Sequence, residues 1–256
     1  MGKNFERNFL EIFPMDECVR LDNVGKQFGG QWVFRHVSLT LPTRQTTAIV
    51  GASGCGKTTL LQLINGLVRL DEGDLSVLNA PIPETDLPAF RRKIGYAVQG
   101  AGLFPHLTVQ QNIDLTARLE GWSESEIRNR VAGLFELMGM DWALGARYPY
   151  QLSGGQQQRV GLCRAMMLQP PLLLLDEPFS AIDPITREEI YGHFEALRQQ
   201  ESVSTLLVTH DLREAVRLSQ FLVFMGDGQI LQHGETGAVV EAPATESIKR
   251  LIETQL

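Results

Sequence analysis

Nine consecutive residues, Gly51-Ala52-Ser53-Gly54-Cys55-Gly56-Lys57-Thr58-Thr59, constrain this chain more than any others. They follow the apolar run Thr46 to Val50 and open a segment whose Leu60, Leu61, Leu63 and Ile64 have helical spacing. Strand, glycine loop and helix, in that order, are the setting in which G-x-x-x-x-G-K-[ST] works as a phosphate-binding loop. The glycines let successive backbone N–H groups turn inward as an anion nest, and the helix N-terminus adds its partial positive charge. Lys57 can reach the outer phosphates, and the Thr58 hydroxyl suits Mg2+. A plain glycine-rich turn would look similar, but a chance match in a chain of this length arises in roughly one per cent of cases. The pattern implies a nucleoside triphosphate held by Gly51, Ser53, Gly54, Cys55, Gly56, Lys57, Thr58 and Thr59.

At 256 residues the chain suits one α/β domain, alone or with an inserted subdomain. A formal net charge of -7 without a basic block argues against nucleic acid as a partner. Cys18, Cys55 and Cys163 are odd in number and far apart, so they read as reduced thiols rather than a disulfide framework or a zinc site. Cys55, at a helix N-terminus beside Lys57, is the one placed to favour thiolate and to react. No apolar run approaches the roughly 20 residues of a membrane helix, and the charged N-terminus is not a signal peptide. The expected chain is soluble and cytoplasmic.

Residues 1–14 space Phe5, Phe9, Ile12 and Phe13 as a weak amphipathic helix; a functional extension and a misassigned start before Met15 both fit. Val19 to Val24 and Ser38 to Leu41 read as strands, with Phe28 beside a Gly29-Gly30 pair between them. Phe28 by itself fits a solvent-edge core aromatic better than a base-stacking one. Ile94 to Val98 is a strand ending on Gln99. Two helical stretches follow in residues 100–150, the second with Ile127, Val131, Leu134, Phe135 and Met138 on one face. Ser153 and Gln156 form a capping box for a helix to about Leu168. The Gly154-Gly155 pair inside its first turn costs helix stability, roughly 1 kcal/mol per glycine in an interior, and makes sense if a ligand must approach the backbone.

Leu172 to Leu175 is a buried parallel strand ending in Asp176-Glu177, at the strand end where α/β ligands bind. Alternation along the strand sends the two carboxylates to different sides, one toward Mg2+ and one toward a water beyond the γ-phosphate. A helix from about Thr186 to Glu201 and a strand from Ser202 to Thr209 lead to His210-Asp211, where Asp211 can cap the next helix. Gly226-Asp227-Gly228 marks a hairpin, and a last helix covers about Glu246 to Thr254.

The ordered set Gly51–Thr59, Gln99, Leu152–Gln156, Leu172–Pro178, Ser180–Asp183 and His210 resembles the ATP-binding-cassette family from Val19 to His233. The resemblance implies an α/β P-loop NTPase: a RecA-like, mainly parallel sheet core, an N-terminal antiparallel β subdomain and an inserted helical subdomain. The divisions expected are an extension at 1–15, an ATP-binding core at 16–98 and 159–240, the helical subdomain with its signature motif at 99–158, and a C-terminal helix at 241–256. Carried over, Thr58, Gln99 and Asp176 are metal ligands, Glu177 is the general base and His210 the γ-phosphate switch. Phe28 becomes the adenine-stacking aromatic, Asp183 belongs to the D-loop, and Ser153, Gly154, Gly155 and Gln156 contact the ATP of a second subunit. The implied cofactors are ATP and Mg2+. The implied partners are a second ATPase subunit with nucleotide at the interface, transmembrane permease subunits and, indirectly, a substrate-binding protein. The implied location is peripheral, on the inner face of the cell membrane.

Two departures stand out: Ile182 replaces the family's Leu, and Gly100-Ala101-Gly102 gives a flexible start to the loop after Gln99. Gly102 to Val109 and Asp183-Pro184-Ile185-Thr186-Arg187 look like importer ATPases, the second like those for glycine betaine, choline and related osmoprotectants. Only 28 residues follow Gly228, so the C-terminal regulatory domain of many such ATPases is not expected here. Non-transport cassettes acting on DNA or ribosomes are the competing class, disfavoured by the acidic charge and the absence of long coiled coils or a second cassette. A small-molecule P-loop kinase would lack Leu152-Ser153-Gly154-Gly155-Gln156.

Overall fold

The computed structural model describes residues 17–180 and 182–256; the helix expected within residues 1–14 lies outside them. Strands β1 (Glu17–Phe28) and β2 (Gln31–Pro42) form a hairpin closed by Gly29 and Gly30, whose φ values of 56° and 80° suit a two-residue turn. Both strands run longer than their alternation predicts. The pairing register shifts between Leu21 and Val24 and again between Val24 and Lys26, and such bulges scramble a period-two pattern.

Next come β3 (Thr46–Val50), α1 (Lys57–Ile64), β4 (Glu72–Val77), β5 (Ala80–Pro81), α2 (Leu87–Arg91) and β6 (Ile94–Ala97). Strand β4 buries only Leu75 and Val77 among polar neighbours, which hides it from a hydrophobic-pattern reading. Helices α3 (Val109–Leu119) and α4 (Glu124–Leu137) each start with a capping box, Thr108 with Gln111 and Ser123 with Glu126. The expected face of α4, from Ile127 to Met138, is fully buried.

The chain then runs through α5 (Gly154–Met166), β7 (Leu172–Asp176), α6 (Pro184–Glu201), β8 (Ser204–Thr209), α7 (Leu212–Leu218) and β9 (Phe221–Gly226). Asp227 and Gly228, with φ of 47° and 70°, turn it into β10 (Gln229–Glu235), and α8 (Thr236–Glu241) and α9 (Glu246–Gln255) finish it.

The strands form two sheets, an antiparallel one ordered β2-β1-β4-β5 and a larger one ordered β10-β9-β3-β8-β7-β6. In the larger sheet only β10 runs antiparallel. This is the expected α/β architecture: a mainly parallel core, an N-terminal antiparallel layer, and helices inserted between β6 and β7. Helix α1 lies between the sheets, its Leu60, Leu61, Leu63 and Ile64 in one core with Val19, Leu21, Leu39 and Leu41 below and Ile49, Leu174 and Leu206 above. A second core joins α3 and α4 to α5, α6 and the other face of β7. The helices are thereby packed onto the sheet that carries the strand ends described next.

Candidate nucleotide site

Strands β3, β8, β7 and β6 lie side by side and parallel, so their carboxyl ends share one edge. Register pairs Val50 with Thr209, Val208 with Asp176, and Leu175 with Ala97. The residues leaving the sheet there are Gly51, His210, Glu177 and, two beyond β6, Gln99. Four of the candidates therefore converge on the edge where open α/β sheets bind ligands.

The phosphate loop is shaped by space as well as by φ. A Cβ at Gly51 would sit 2.0 Å from the Met225 carbonyl oxygen. Gly56, at φ 109°, is the N-cap of α1 and offers no side-chain cap. The first N–H groups of the helix are thus left for a ligand. Lys57 is buried, and its Nζ donates to the carbonyls of Gly51 at 2.8 Å and Ala52 at 2.9 Å. A buried ammonium resting on carbonyl dipoles is short of an anion, which a triphosphate supplies.

Asp176 is buried, and the Thr58 hydroxyl donates to its Oδ1 at 3.0 Å. Burial pushes the Asp176 carboxyl above its ordinary value; the Thr58 hydrogen bond and Lys57 pull it back, while Glu177 pushes it further up. Glu177 and His210 meet, Oε2 to Nδ1 at 3.1 Å. The two acids do diverge, but not by strand alternation. Strand β7 ends at Asp176, and Glu177 has φ 46°, so a left-handed residue turns its side chain off the sheet. Its N–H still donates to Val208 O at 2.9 Å, which anchors the turn to β8.

Phe28 is 51 % exposed, so part of its ring faces solvent. Lys26 Nζ sits 4.9 Å from the ring centroid and 2.9 Å from Asp71, which also accepts from Gln27 N–H at 2.8 Å. This support was missed from sequence because Asp71 is 43 residues from Phe28.

Ser153 caps α5 in the expected box with Gln156. The glycine pair has a packing reason that the sequence did not reveal: a Cβ at Gly155 would lie 2.6 Å from Thr186 Cγ2. Asp183 caps α6, accepting from Thr186 N–H at 3.0 Å. Nor is the segment after Gln99 a loose one. Gly100, Ala101 and Gly102 all have positive φ, Ala101 is buried, and Arg164 of α5 donates to the Ala101 and Gly102 carbonyls at 2.8 Å each. Cys55 Sγ lies 3.9 Å from Lys57 Nζ, but the residue is buried, which restricts the reagent access that reactivity needs. Burial pushes the Cys18 and Cys163 thiols up to about 11 and about 12.

The donors near Lys57 also fit Mg2+. Thr58 Oγ1 and the Asp176 carboxylate are hard oxygens already within 3.0 Å of each other. Among the described residues no cluster of three or more His, Cys, Asp or Glu could hold a metal. Mg2+ suits so sparse a set, because it typically takes one or two protein oxygens and completes its shell with phosphate and water.

Sheet order, phosphate loop and paired acids define a P-loop nucleotide-binding cassette. The chain belongs to the ABC transporter family, whose model matches residues 34–180. It is 40% identical over 233 residues to the choline transport ATP-binding protein OpuBA of Bacillus subtilis, covering 91% of this chain and 61% of that protein. It is 41% identical over 231 residues to the sulfate/thiosulfate import ATP-binding protein CysA of Ralstonia nicotianae, covering 89% and 61%. The chain thus spans about three fifths of the length of both relatives. It is also similar to the dimeric post-hydrolysis state of the ATP-binding cassette MJ0796 bound to ADP and Pi, with a TM-score of 0.77 and 30% identity, covering 85% of this chain and 98% of that one. Among the described residues no helix is long and apolar enough to cross a membrane.

Proposed function

We propose that this chain is the ATP-hydrolysing subunit of an ABC importer for osmoprotectant quaternary amines such as choline or glycine betaine. The observation that carries the hydrolytic reading is the 3.1 Å contact of Glu177 with His210, beside the Thr58–Asp176 pair and on the strand edge that carries Lys57's loop. Lys57 and the first N–H groups of α1 bind the outer phosphates. Thr58 and Asp176, with Gln99 from the neighbouring strand end, would hold Mg2+, which neutralises charge on the β- and γ-oxygens. Glu177 accepts a proton from the attacking water as the P–O bond to ADP breaks, and His210 steadies Glu177 and the γ-phosphate. Phe28 stacks on the adenine.

Ser153 to Gln156 contact the triphosphate of a second subunit, so two chains sandwich two nucleotides; the dimeric MJ0796 cassette supports this reading. A permease docks at the cleft of about 450 Å³ lined by Thr108, Gln111, Asp114, Arg118 and Trp142, whose exposed ring offers it aromatic surface. The chain then sits on the inner face of the membrane, with residues 99–158 as the coupling subdomain and 16–98 with 159–240 as the ATP-binding core. A substrate-binding protein would deliver cargo to the permease, and no nucleic acid takes part.

The cargo reading rests on the choline relative and on Asp183-Pro184-Ile185-Thr186-Arg187. Sulfate is the second reading, since the sulfate/thiosulfate relative is as similar. ATPase assays should show Mg2+-dependent turnover that Glu177→Gln abolishes; turnover unchanged in that variant would reject the base. Uptake of labelled choline, but not sulfate, by cells carrying this chain with its permease would fix the cargo, and the reverse pattern would replace it.

A further inference from the structure

Glu177 and His210 belong to two different loops, those leaving β7 and β8. Adjacent strands fix where such loops begin, but not how far apart their side chains stand. On the far side of the pair a single guanidinium spans both loops. Arg187, in the first turn of α6, donates from Nη2 to the Ile182 carbonyl at 2.9 Å and from Nη1 to Asp211 Oδ2 at 3.3 Å.

Each end of this span is itself held. Asp211 follows His210 directly and caps α7, its Oδ1 accepting from Arg213 N–H at 2.9 Å and Glu214 N–H at 3.3 Å. The Asp211 N–H donates to Thr209 Oγ1 at 3.1 Å, which fixes the backbone on both sides of His210. On the other loop, Ser180 Oγ donates to Glu177 O at 3.1 Å, and Asp183 caps α6. The contacts close a ring that runs from Glu177 along the chain to Ile182, across Arg187 to Asp211, to His210, and back to Glu177 at 3.1 Å.

We propose that Arg187 is the positioning residue for the Glu177–His210 pair, setting the separation of the two loops so that the carboxylate faces both the imidazole and the attacking water. The proposal rests on Glu177 being the base. A planar fork with two donors in fixed geometry can brace two acceptors at once, which a lysine ammonium on a flexible stem cannot do rigidly. Small displacements of a reacting group carry large rate penalties, about 100-fold for a 1 Å misplacement. Arg187 itself is assigned no contact with nucleotide.

The test uses the full chain with Arg187→Met and Arg187→Lys. It measures kcat per nucleotide-binding site, with sites counted by a fluorescent ATP analogue, together with KM for ATP. Expected is a fall in kcat of about 10- to 100-fold for Arg187→Met with KM unchanged, and partial recovery in Arg187→Lys. In parallel, the His210 ring resonance is followed by NMR in nucleotide-free protein, assigned by its loss in His210→Gln. Arg187→Met should move it in the same direction as Glu177→Gln does, and the double variant should move it no further. If Arg187 only stabilises the fold, melting temperature and the binding-competent fraction fall while kcat per site and the His210 resonance stay put, and the proposal is overturned. If the wild type proves inactive toward ATP yet the resonance moves as described, the positioning stands and the hydrolytic reading fails.

Discussion

The Thr58 hydroxyl donates to Asp176 Oδ1 across 3.0 Å, joining the first turn of the phosphate-loop helix to the end of strand β7. The bond links residues 118 positions apart and places a neutral donor against a buried carboxylate whose affinity for a proton is raised by that burial. A divalent cation held beside the two oxygens would favour the charged form of that carboxylate.

Asp176→Asn should weaken Mg2+-dependent ATP binding far more than binding without Mg2+. The amide keeps the shape and an oxygen for Thr58 but lacks the charge that a hard cation needs. Equilibrium titration with a fluorescent ATP analogue, with and without Mg2+, reads this directly. Equal losses under both conditions would remove Asp176 from the metal.

Phe28→Ala should raise the dissociation constant for ATP by roughly 5- to 150-fold, the value of about 1 to 3 kcal/mol for stacking a base on an aromatic ring. Phe28→Trp should preserve affinity. Binding of inorganic triphosphate should not change in either variant, because the loop of Lys57 is untouched. A Phe28→Ala protein with wild-type ATP affinity would leave its exposed ring without a nucleotide role.

Much of this site was legible because its parts are local. The glycine loop, the Asp176-Glu177 strand end and the Ser153–Gln156 box are each contained in one short stretch, and each lies on the expected element. What escaped were relations across the chain. Gly155 answers to Thr186, the segment after Gln99 to Arg164, and the hairpin of Phe28 to Asp71. A hydrophobic pattern holds no record of such pairs. Strand β4 was lost for a related reason, since a half-buried strand whose pairing register shifts does not alternate cleanly.

Gly155→Ala should destabilise the protein by about 1 to 3 kcal/mol, because the added methyl must force Thr186 Cγ2 away from 2.6 Å. Thr186→Ser removes that methyl while keeping its hydroxyl, so the double variant should recover most of the loss. Urea denaturation of the four proteins forms a cycle that measures the coupling. Additive losses would mean the clash is relieved elsewhere.

Glu214 gives a pH dependence. It is 3 % exposed, and Tyr191 OH donates to its Oε2 at 3.2 Å. Burial raises its carboxyl from an ordinary 4.5 to about 7. A raised folded-state value means that the folded protein holds the proton more tightly, so this group favours folding below pH 4.5 and loses that advantage as pH climbs to about 7. The full effect is at most about 3 kcal/mol. Glu214→Gln is neutral throughout and should match wild type near pH 5, then become the more stable of the two at pH 8. Urea midpoints that stay parallel at both pH values would contradict this.

Glu177→Gln separates binding from hydrolysis. The Glu177 side chain is only 22 % exposed and its carboxylate pairs with His210, so it adds little to holding the nucleotide, and its loss takes negative charge away from the triphosphate. The variant should bind MgATP at least as well as wild type and turn it over about 10² to 10⁴ times more slowly, the usual range for a removed general base. If each ATP bridges Lys57 of one chain and Ser153 of another, stalled hydrolysis traps two chains together. Size-exclusion chromatography should then show a dimer for Glu177→Gln with MgATP, and a monomer with MgADP or with Ser153→Arg added. Ser153 caps α5 in its own chain through a single hydrogen bond to Gln156 N–H at 3.3 Å, so the second substitution should cost about 1 kcal/mol of stability and leave nucleotide binding to the single chain intact. A Glu177→Gln protein that remains monomeric at saturating MgATP would refute the shared site, and one that dimerises just as well with Ser153→Arg would show that the bridge does not run through Ser153.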